Sequence, residues 1–223
     1  MAIYMMRDDG RTPWANTLAY YKFESNLNDS SGNWHTLTNG WTSVSYEIGS
    51  APSVYLTRQN WLHTSWSDSF NHDWTMSCWT YFVERTPEVW ILLSRGTGAQ
   101  RKMIICGVTN SGQLFFWFYD DDYTWSTTIP LNQSHHLCFT YNYTSKAYKG
   151  YIDWVVDISW TLGTQYSIGS SDLFIGDLAN NTSQTENYRI RGNVGQFILE
   201  SKERSATDVL NYYNDTKWTY QPS

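Results

Sequence analysis

The stretch "SHHLCFTYNYTSKAYKGYIDW", which runs from Ser134 to Trp154, decides the fold class because it contains two successive strand patterns. In its first half, bulky side chains alternate with smaller or polar ones: Leu137, Phe139, Tyr141 and Tyr143 against His136, Cys138, Thr140 and Asn142. A period of two places the bulkier set on one face of a β-strand. The stretch therefore predicts two strands, the first with its bulkier face toward a core.

The same rhythm extends outward through the chain from Thr17 onward. Apolar and β-branched runs alternate with clusters of Gly, Asn, Asp and Ser; the clearest are "TLAYYKFE", "SVYLT", "WTMSCWTYFVE", "VWILLSR", "RKMIICGV", "GQLFFWFYD", "DLFIGD" and "VGQFILES". Turn signals every eight to twelve residues or so are typical of antiparallel two-sheet structures. We therefore predict an all-β fold, an antiparallel two-sheet β-sandwich or jelly roll.

One hairpin can be predicted from local turn chemistry. Asn110, Ser111 and Gly112 separate two apolar runs and tolerate the positive φ angles of a short turn. The two strands should therefore pair near Ile105 and Leu114.

One short helix is predicted near the C-terminus, in "SATDVLNYYN". Ser205 can cap it, and Asp208 lies at the third helical position. Residues 1–16 are interpreted as an N-terminal extension, residues 17–215 as one sandwich domain and residues 216–223 as a C-terminal tail.

Composition argues against two classes of partner. The chain has 15 basic and 21 acidic residues, a net charge of −6, and no basic cluster that could hold a nucleic acid backbone. No apolar run approaches the roughly 18 residues of a membrane helix, and "MAIYMMRDDGRTP" lacks the features of a secretion signal. We expect a soluble protein that binds no nucleic acid and does not insert into membranes.

Catalytic patterns are also missing from the sequence. Cys78, Cys106 and Cys138 each lie in an apolar run without paired spacing, which predicts buried free thiols rather than disulfides or a zinc site. The five histidines follow no triad signature, and no strand carries the paired carboxylates of a glycosidase. The sequence predicts a protein that is not an enzyme.

The order and spacing of these motifs resemble the laminin-G-like domains of the concanavalin A-like lectin/glucanase superfamily, in their bacterial and phage form. "LAYYKFESNLNDSSGNWHTLT" is similar to the first strand of that family and its "DxSGNG" loop, and "WTMSCWTYF" to its "FTISFWV" strand. The stretch from Ser134 to Trp154 resembles "WHHVAVTYDGSTLKLYVDG" of that family. The segments "LFIGD", "GNVGQFILES" and "SATDVLNYYN" follow the family's C-terminal pattern. The resemblance spans about Leu18 to Asn214 and implies a concanavalin A-like jelly roll.

The resemblance also makes calcium a candidate cofactor. Many members bind it through the aspartate of the "DxSG" loop, which Asp29 matches here, and through a second aspartate in the last strand. Gly195 and Gln196 stand in place of the acids of that strand. Because the loss of a charged ligand weakens calcium binding, the alternative role for Asp29 is an Asx-turn that closes its loop.

Three tryptophans occupy loops where glycine would be expected. Trp34 and Trp154 fall on glycines of the family pattern, and Trp41 follows Gly40. A turn residue at positive φ costs a non-glycine side chain roughly 1–2 kcal/mol. Either these loops are rebuilt so that the tryptophans pack or bind, or the gene uses an alternative genetic code in which UGA means glycine. The 13 tryptophans against 14 glycines agree with the second explanation.

Aromatic residues beside polar ones indicate where a sugar would bind, because sugars present both C–H faces and hydroxyl groups. Two groups of candidates meet this description: Trp61 and Trp66 in "NWLHTSWSDS", and Asp120, Asp121, Asp122, Tyr123 and Trp125 in "FYDDDYTW". The alternative is that the aromatic rings fill the sandwich or an interface and that the aspartates form a solvated loop.

These observations predict a non-catalytic recognition or adhesion module of lectin type, which binds a glycan or a cell-surface polymer. The alternative is a structural virion protein, such as a capsid-decoration or tail-fibre subunit, that docks on other virion proteins through residues 1–14. Either function would place the protein outside the cell, on a cell surface or in a virion.

Overall fold

The computed structural model describes residues 15–47, 51–85, 89–99, 101–118, 122–179 and 186–221, without the side chains of residues 122–126 and 186. These residues form fifteen strands, a 3-10 turn at Glu186–Tyr188 and one α-helix, α1 (Ala206–Tyr220). The strands are β1 (Thr17–Tyr21), β2 (Thr38–Asn39), β3 (Ser45–Glu47), β4 (Ser53–Leu56), β5 (Leu62–Thr64), β6 (Trp74–Phe82), β7 (Val89–Gly96), β8 (Met103–Thr109), β9 (Gln113–Trp117), β10 (Asp122–Thr128), β11 (Ser134–Tyr141), β12 (Ala147–Ile152), β13 (Val155–Thr161), β14 (Leu173–Ile175) and β15 (Gly192–Glu200).

The strands form two antiparallel sheets. The first sheet has the order β13-β12-β11-β6-β15-β4-β3, and β1 pairs with the far half of β15. The second sheet has the order β10-β9-β8-β7-β14-β5-β2. With α1 as the one helix described, this arrangement is the predicted jelly-roll sandwich.

The core lies between the sheets and follows the predicted alternation. Leu137, Phe139 and Tyr141 of β11 are fully buried in it. Phe116 of the second sheet meets Phe139 with ring centres 5.9 Å apart and Trp74 of β6 at 5.4 Å. These contacts between the sheets bury a large apolar area, which is the main stabilising term in folding.

The opposite face of the first sheet is buried as well, because α1 covers it. His136 and Cys138 lie beneath this helix, and the Trp79 ring stacks on Tyr220 with centres 5.0 Å apart. Ser205 caps the helix and forms the predicted capping box with Asp208. The predicted C-terminal tail was wrong for residues 216–220, because they continue α1. The last residue of this helix, Tyr220, is held to the sheet by its stacking on Trp79.

The predicted hairpin is confirmed between β8 and β9. Gly112 has a φ of +87°, and Val108 pairs with Leu114 while Ile105 pairs with Trp117. Strand β13 was not predicted from the sequence. Its sequence, "VVDISWT", lacks a clear alternation, because it is an edge strand that is largely exposed.

The three cysteines are buried and free, as predicted. Burial raises the pKa of each thiol, to about 12 for Cys138. The described residues include no helix that is long and apolar enough to cross a membrane. The predicted extension at residues 1–14 lies outside the described part of the chain.

Candidate functional site

An exposed tryptophan is fixed over a second one at the end of the sandwich where β2 and β5 meet. The Trp41 and Trp61 rings lie edge to face, 5.7 Å apart, and Trp41 is 53% exposed. The backbone N–H of Gly40 donates to the carbonyl of Trp61 at 2.8 Å. A Cβ at position 40 would lie 2.3 Å from the Trp61 ring, so only glycine lets this ring lie flat against the loop.

A buried arginine supports both indoles from beneath. The guanidinium carbon of Arg189 lies 4.2 Å from the Trp61 ring centre and 4.8 Å from that of Trp41. Its Nε donates to Asp177 at 3.0 Å, and its Nη1 donates to the carbonyl of Arg58 at 3.0 Å. We call Trp41, Trp61 and Arg189 the Trp41 platform. Cation–π contacts of this kind are worth most when they are desolvated, so the exposed indole is held by interior groups.

Polar side chains lie on the segments that lead into the platform, including Arg58, whose carbonyl accepts from Arg189. Thr42 donates to the carbonyl of Gln59 at 3.1 Å. Glu84 bridges two arginines, Arg58 at 2.8 Å and Arg191 at 2.6 Å. Hydrogen bonds to Tyr55 and Glu84 raise the pKa of the Arg191 guanidinium.

Of the first pair of predicted residues, only Trp61 belongs to this platform. The prediction that Trp66 binds a ligand was wrong. Its side chain is 2% exposed, and the His35 ring stacks on it with centres 3.8 Å apart. Arg95 also lies over the Trp66 ring, at 5.7 Å. With its faces covered by protein, Trp66 is a packing residue and cannot stack on a ligand.

The second predicted group lies far from the platform. Asp122, Tyr123 and Trp125 belong to β10, an edge strand of the second sheet, whereas Trp61 directly precedes β5. Five strand spacings separate β10 from β5, which corresponds to about 24 Å. Asp120 and Asp121 lie outside the described residues. The two groups therefore do not form one site, and a ligand at β10 stays a separate prediction.

Asp29 does not have the surroundings of a calcium ligand. Its Oδ1 accepts the backbone N–H groups of Tyr20 at 3.0 Å and Ser31 at 2.8 Å. Its Oδ2 accepts the Ser31 hydroxyl at 2.8 Å and the backbone N–H of His35 at 3.1 Å. These four donors close the loop, as in the Asx-turn alternative. A calcium ion requires six to eight oxygen ligands, and these donors occupy the carboxylate instead.

The missing second acid also has a structural reason. A Cβ at Gly195 would lie 2.6 Å from the ring of Tyr220, the last residue of α1. A side chain at position 195 would displace the Tyr220 ring from its place against the sheet. Across the described residues, no three His, Cys, Asp or Glu side chains form a group that could hold a metal. The donor set present does not fit calcium.

The structure separates the three loop tryptophans. Trp34 and Trp154 have φ angles of +64° and +71°, whereas Trp41 is not among the positive-φ residues. Trp34 is 90% exposed. Trp154 follows Asp153, whose φ is +48°, in a two-residue loop between paired Ile152 and Val155. Two successive positive φ angles define the type I′ turn, which favours Asp-Gly.

Sequence reasoning missed Arg189, and for Trp41 it left open whether the ring packs, binds or stands in place of glycine. These residues are 148 positions apart, and neither stands in a motif that points to the other. The sequence feature that comes nearest to indicating the platform is Asn60. Its Oδ1 accepts the backbone N–H of Thr57 and closes a turn, and its Nδ2 donates to the carbonyl of Ser43, which joins the Trp61 loop to the Trp41 loop.

Comparisons with known proteins agree with this architecture. A family model described as the concanavalin A-like lectin/glucanases superfamily matches residues 49–210. No curated protein matches the chain by sequence.

Three similar solved structures illustrate the neighbours of this fold. Domain 4 of AbnA, a GH43 extracellular arabinanase from Geobacillus stearothermophilus solved in complex with arabinotriose, is 17% identical, with a TM-score of 0.69 over 88% of this chain and 97% of that domain. The binding domain of Paraclostridial Mosquitocidal Protein 1 is also 17% identical, with a TM-score of 0.71 over 90% of this chain and 52% of that one. A botulinum neurotoxin type C structure, whose description states that cell entry depends on two ganglioside molecules, is 13% identical, with a TM-score of 0.69 over 90% of this chain and 51% of that one. The chain thus spans about half the length of the two toxin chains.

Proposed function

Because this chain belongs to the concanavalin A-like lectin/glucanases superfamily, we propose that it is a non-catalytic recognition module that binds a glycan or a cell-surface polymer. The observation that carries the proposal is the Trp41 platform: an indole that is 53% exposed but is held by a fully buried guanidinium. The neighbours described as binding domains support the same class of function.

The platform suits sugar binding for two physical reasons. An indole face can cover the apolar C–H face of a pyranose ring, and Thr42, which directly follows Trp41, supplies a hydroxyl group next to it in the chain. In addition, Arg189 and Trp61 already hold the Trp41 ring in place. Little side-chain entropy is then lost on binding, and preorganisation of this kind increases affinity.

A glycan array tests the proposal. Fluorescently labelled full-length protein is applied to immobilised bacterial and animal glycans, alongside Trp41→Ala. A matched control is Trp218→Ala, which removes from α1 an indole that is 66% exposed, against 53% for Trp41. We expect binding by the wild type and by the control, with a loss of at least tenfold for Trp41→Ala. Equal binding by Trp41→Ala would assign recognition to another surface.

A structural virion role is the second candidate. Strand β13 favours it: Val155, Val156 and Trp160 are 56%, 45% and 49% exposed on the edge of the first sheet. Exposed apolar groups of this kind mark protein interfaces. Electron microscopy of particles assembled with and without residues 1–14 of this chain is the test, since docking through that segment requires it. Assembly that persists after the deletion would count against this candidate.

Both functions place the protein where it meets a surface outside the cell, either alone or on a particle. Fractionation of the native source, with antibodies raised against the domain, distinguishes the two locations. A soluble extracellular or surface-bound form supports the recognition module, and co-purification with particles supports the virion protein.

We also propose that positions 34 and 154 are glycine in the native protein, through an alternative reading of UGA. Their φ angles of +64° and +71° support this proposal, because glycine adopts such angles without strain. Peptide mass spectrometry of native material is decisive. Glycine at both positions is the expected result, and tryptophan at position 34 would overturn the proposal. Trp41 lacks a positive φ and packs on Arg189, so we expect tryptophan there.

A further inference from the structure

We infer that the chain has a second ligand site, which binds the acetamido group of an N-acetylated amino sugar in a hollow beside Tyr220. This inference rests on the proposed function of glycan recognition and adds a site and a chemical class of ligand. The hollow has a volume of about 240 Å³ and lies between the end of α1 and the strands beneath it. We call it the Tyr220 hollow. No residue of the Trp41 platform is among the described residues that line it.

The register of the first sheet explains why a hollow forms here. Gly195 of β15 pairs with Trp79 of β6, and Ser53 of β4 pairs with Glu47 of β3. The register between β15 and β4 brings Ser53 next to Gly195. Because Gly195 has no side chain, this row of the sheet has a depression in its middle. Tyr220 borders the depression, since a Cβ at position 195 would lie 2.6 Å from its ring.

The apolar side of the hollow is formed by Trp79 and Tyr220, whose ring centres lie 5.0 Å apart. Trp79 Nε1 donates to Thr216 Oγ1 at 3.0 Å, and the Tyr220 hydroxyl donates to the carbonyl of Pro52 at 2.9 Å. With both polar atoms engaged, the two side chains offer apolar surface to a ligand. They are only 1% and 8% exposed, so a methyl group can reach them but the flat face of a sugar ring cannot stack on them.

The polar side of the hollow has hydrogen-bonding groups to spare. Asn193 Nδ2 donates to Ser53 Oγ at 3.1 Å. Whichever way the Asn193 amide is turned, this pair keeps one donor and one acceptor that no other described side chain uses. Ser53 is buried, and a buried donor without an acceptor is costly unless a water or a ligand completes it. The exposed carboxylate of Glu47 adds a further acceptor to the lining.

An acetamido group matches these features better than other small groups do. Its methyl group suits the apolar side, its carbonyl oxygen suits the spare donor, and its N–H suits the spare acceptor or Glu47. A bare hydroxyl or an amine would leave the apolar side without a contact, and a free carboxylate would be repelled by Glu47. The hollow is smaller than the roughly 300 Å³ at which pockets begin to enclose a whole small ligand. It should therefore hold one substituent of a sugar whose ring stays outside.

Three methyl glycosides with the same ring provide matched probes: those of N-acetylglucosamine, glucosamine and glucose. Saturation-transfer NMR titrations with the full chain measure the affinity of each and show which protons touch the protein. Two variants address the polar side, Ser53→Ala and Asn193→Leu. The control variant is Asn211→Leu, which removes an exposed amide from α1, and Trp41→Ala separates this site from the platform. Thermal unfolding verifies that each variant is folded.

We expect the N-acetyl glycoside to bind at least tenfold more tightly than the glucoside, because it buries a methyl group and adds hydrogen bonds. Saturation should be greatest at the acetyl methyl protons. The preference should fall severalfold in Ser53→Ala and in Asn193→Leu, and it should persist in Asn211→Leu and Trp41→Ala.

Equal binding of the three glycosides, or tighter binding of the amine, would overturn the inference. So would a preference that Trp41→Ala abolishes and Ser53→Ala does not. In each case, binding on the glycan array that depends on Trp41 would leave the proposed function intact. Array binding that survives Trp41→Ala but is lost in Ser53→Ala would support the hollow and overturn the role of the platform. No binding of any glycan would overturn both.

Discussion

The guanidinium of Arg189 lies 4.8 Å from the centre of the Trp41 ring, so a side chain that is wholly buried supports one that is largely in solvent. The ion pair between Arg189 and Asp177 anchors this contact in the interior. Stability and the proposed recognition therefore share one residue, and this coupling can be measured.

Arg189→Met should destabilise the fold by about 3–5 kcal/mol, because Asp177 would be left buried without its cation. Equilibrium unfolding in urea measures the change. Arg191→Met breaks an exposed ion pair instead and should lower the free energy of unfolding much less. Equal losses in the two variants would mean that the buried pair is not the stabilising element.

In a protein that carries tryptophan at position 34, Trp34→Gly should raise the free energy of unfolding by about 0.5–1 kcal/mol. Relief of backbone strain at positive φ outweighs the entropy that glycine adds to the unfolded chain, and an indole that is 90% exposed has little packing to lose. Trp154→Gly should gain less, since its ring also packs 4.5 Å from Tyr213.

The control for these turn variants is Trp41→Gly, whose parent residue lacks a positive φ and packs on Arg189. It should be destabilised. The midpoints of denaturant unfolding rank the three variants, and stabilisation by Trp41→Gly would contradict the turn argument.

Calcium should not stabilise this protein. Asp29 accepts four hydrogen bonds, from Tyr20, Ser31 and His35, and a side chain at position 195 would displace the Tyr220 ring. We expect unchanged melting temperatures in EDTA and in millimolar calcium, measured by differential scanning fluorimetry. Asp29→Asn should cost about 1–3 kcal/mol in either medium, because its amide group cannot accept all these bonds. A calcium-dependent rise in melting temperature that Asp29→Asn abolishes would restore the family site.

Stability should fall in mild acid because of His136. Burial, assisted by the nearby Arg204, lowers the pKa of this imidazole to about 3, while Asp153 opposes the shift. The unfolded chain takes up a proton near pH 6.5, whereas the folded chain does so only near pH 3. The contribution of neutral His136 is therefore complete above about pH 6.5 and is lost as the pH falls toward 3, by at most about 1.4 kcal/mol per pH unit.

His136→Leu provides the check on this assignment. Both ring nitrogens of His136 are buried without a hydrogen-bond partner among the described residues. Leucine should consequently be tolerated at pH 7.5 and should flatten the dependence between pH 6.5 and 4. Urea midpoints of both proteins across that range measure the effect. An unchanged slope would mean that other groups cause the acid sensitivity. Glu200 is not one of them, because burial raises its pKa, and its protonation in acid therefore favours the folded state.

Much of this fold could be read from local patterns. Alternation in β11 placed Leu137 and Phe139 in the core, and the glycine turn at Gly112 placed one hairpin. Ser205 marked the start of α1. These features were predictable because strand periodicity, turn angles and helix capping depend on neighbouring residues in the chain.

The site depended on contacts that no local pattern records. Trp61 and Trp66 look alike in sequence, yet Trp66 is packed between His35 and Arg95 whereas Trp61 supports an exposed ring. Burial is set by segments that arrive from elsewhere in the chain, so periodicity could not separate the two.

By itself, the sequence determined a two-sheet sandwich, the capped start of its helix and the turns at positions 34 and 154, whose positive φ angles favour glycine. Only the tertiary structure decided that Arg189 meets Trp41 and that Tyr220 fills the space over Gly195. The physical reason is that backbone angles and alternation are local properties. Cation–π contacts, charge pairing and steric exclusion exist only once distant segments have packed together.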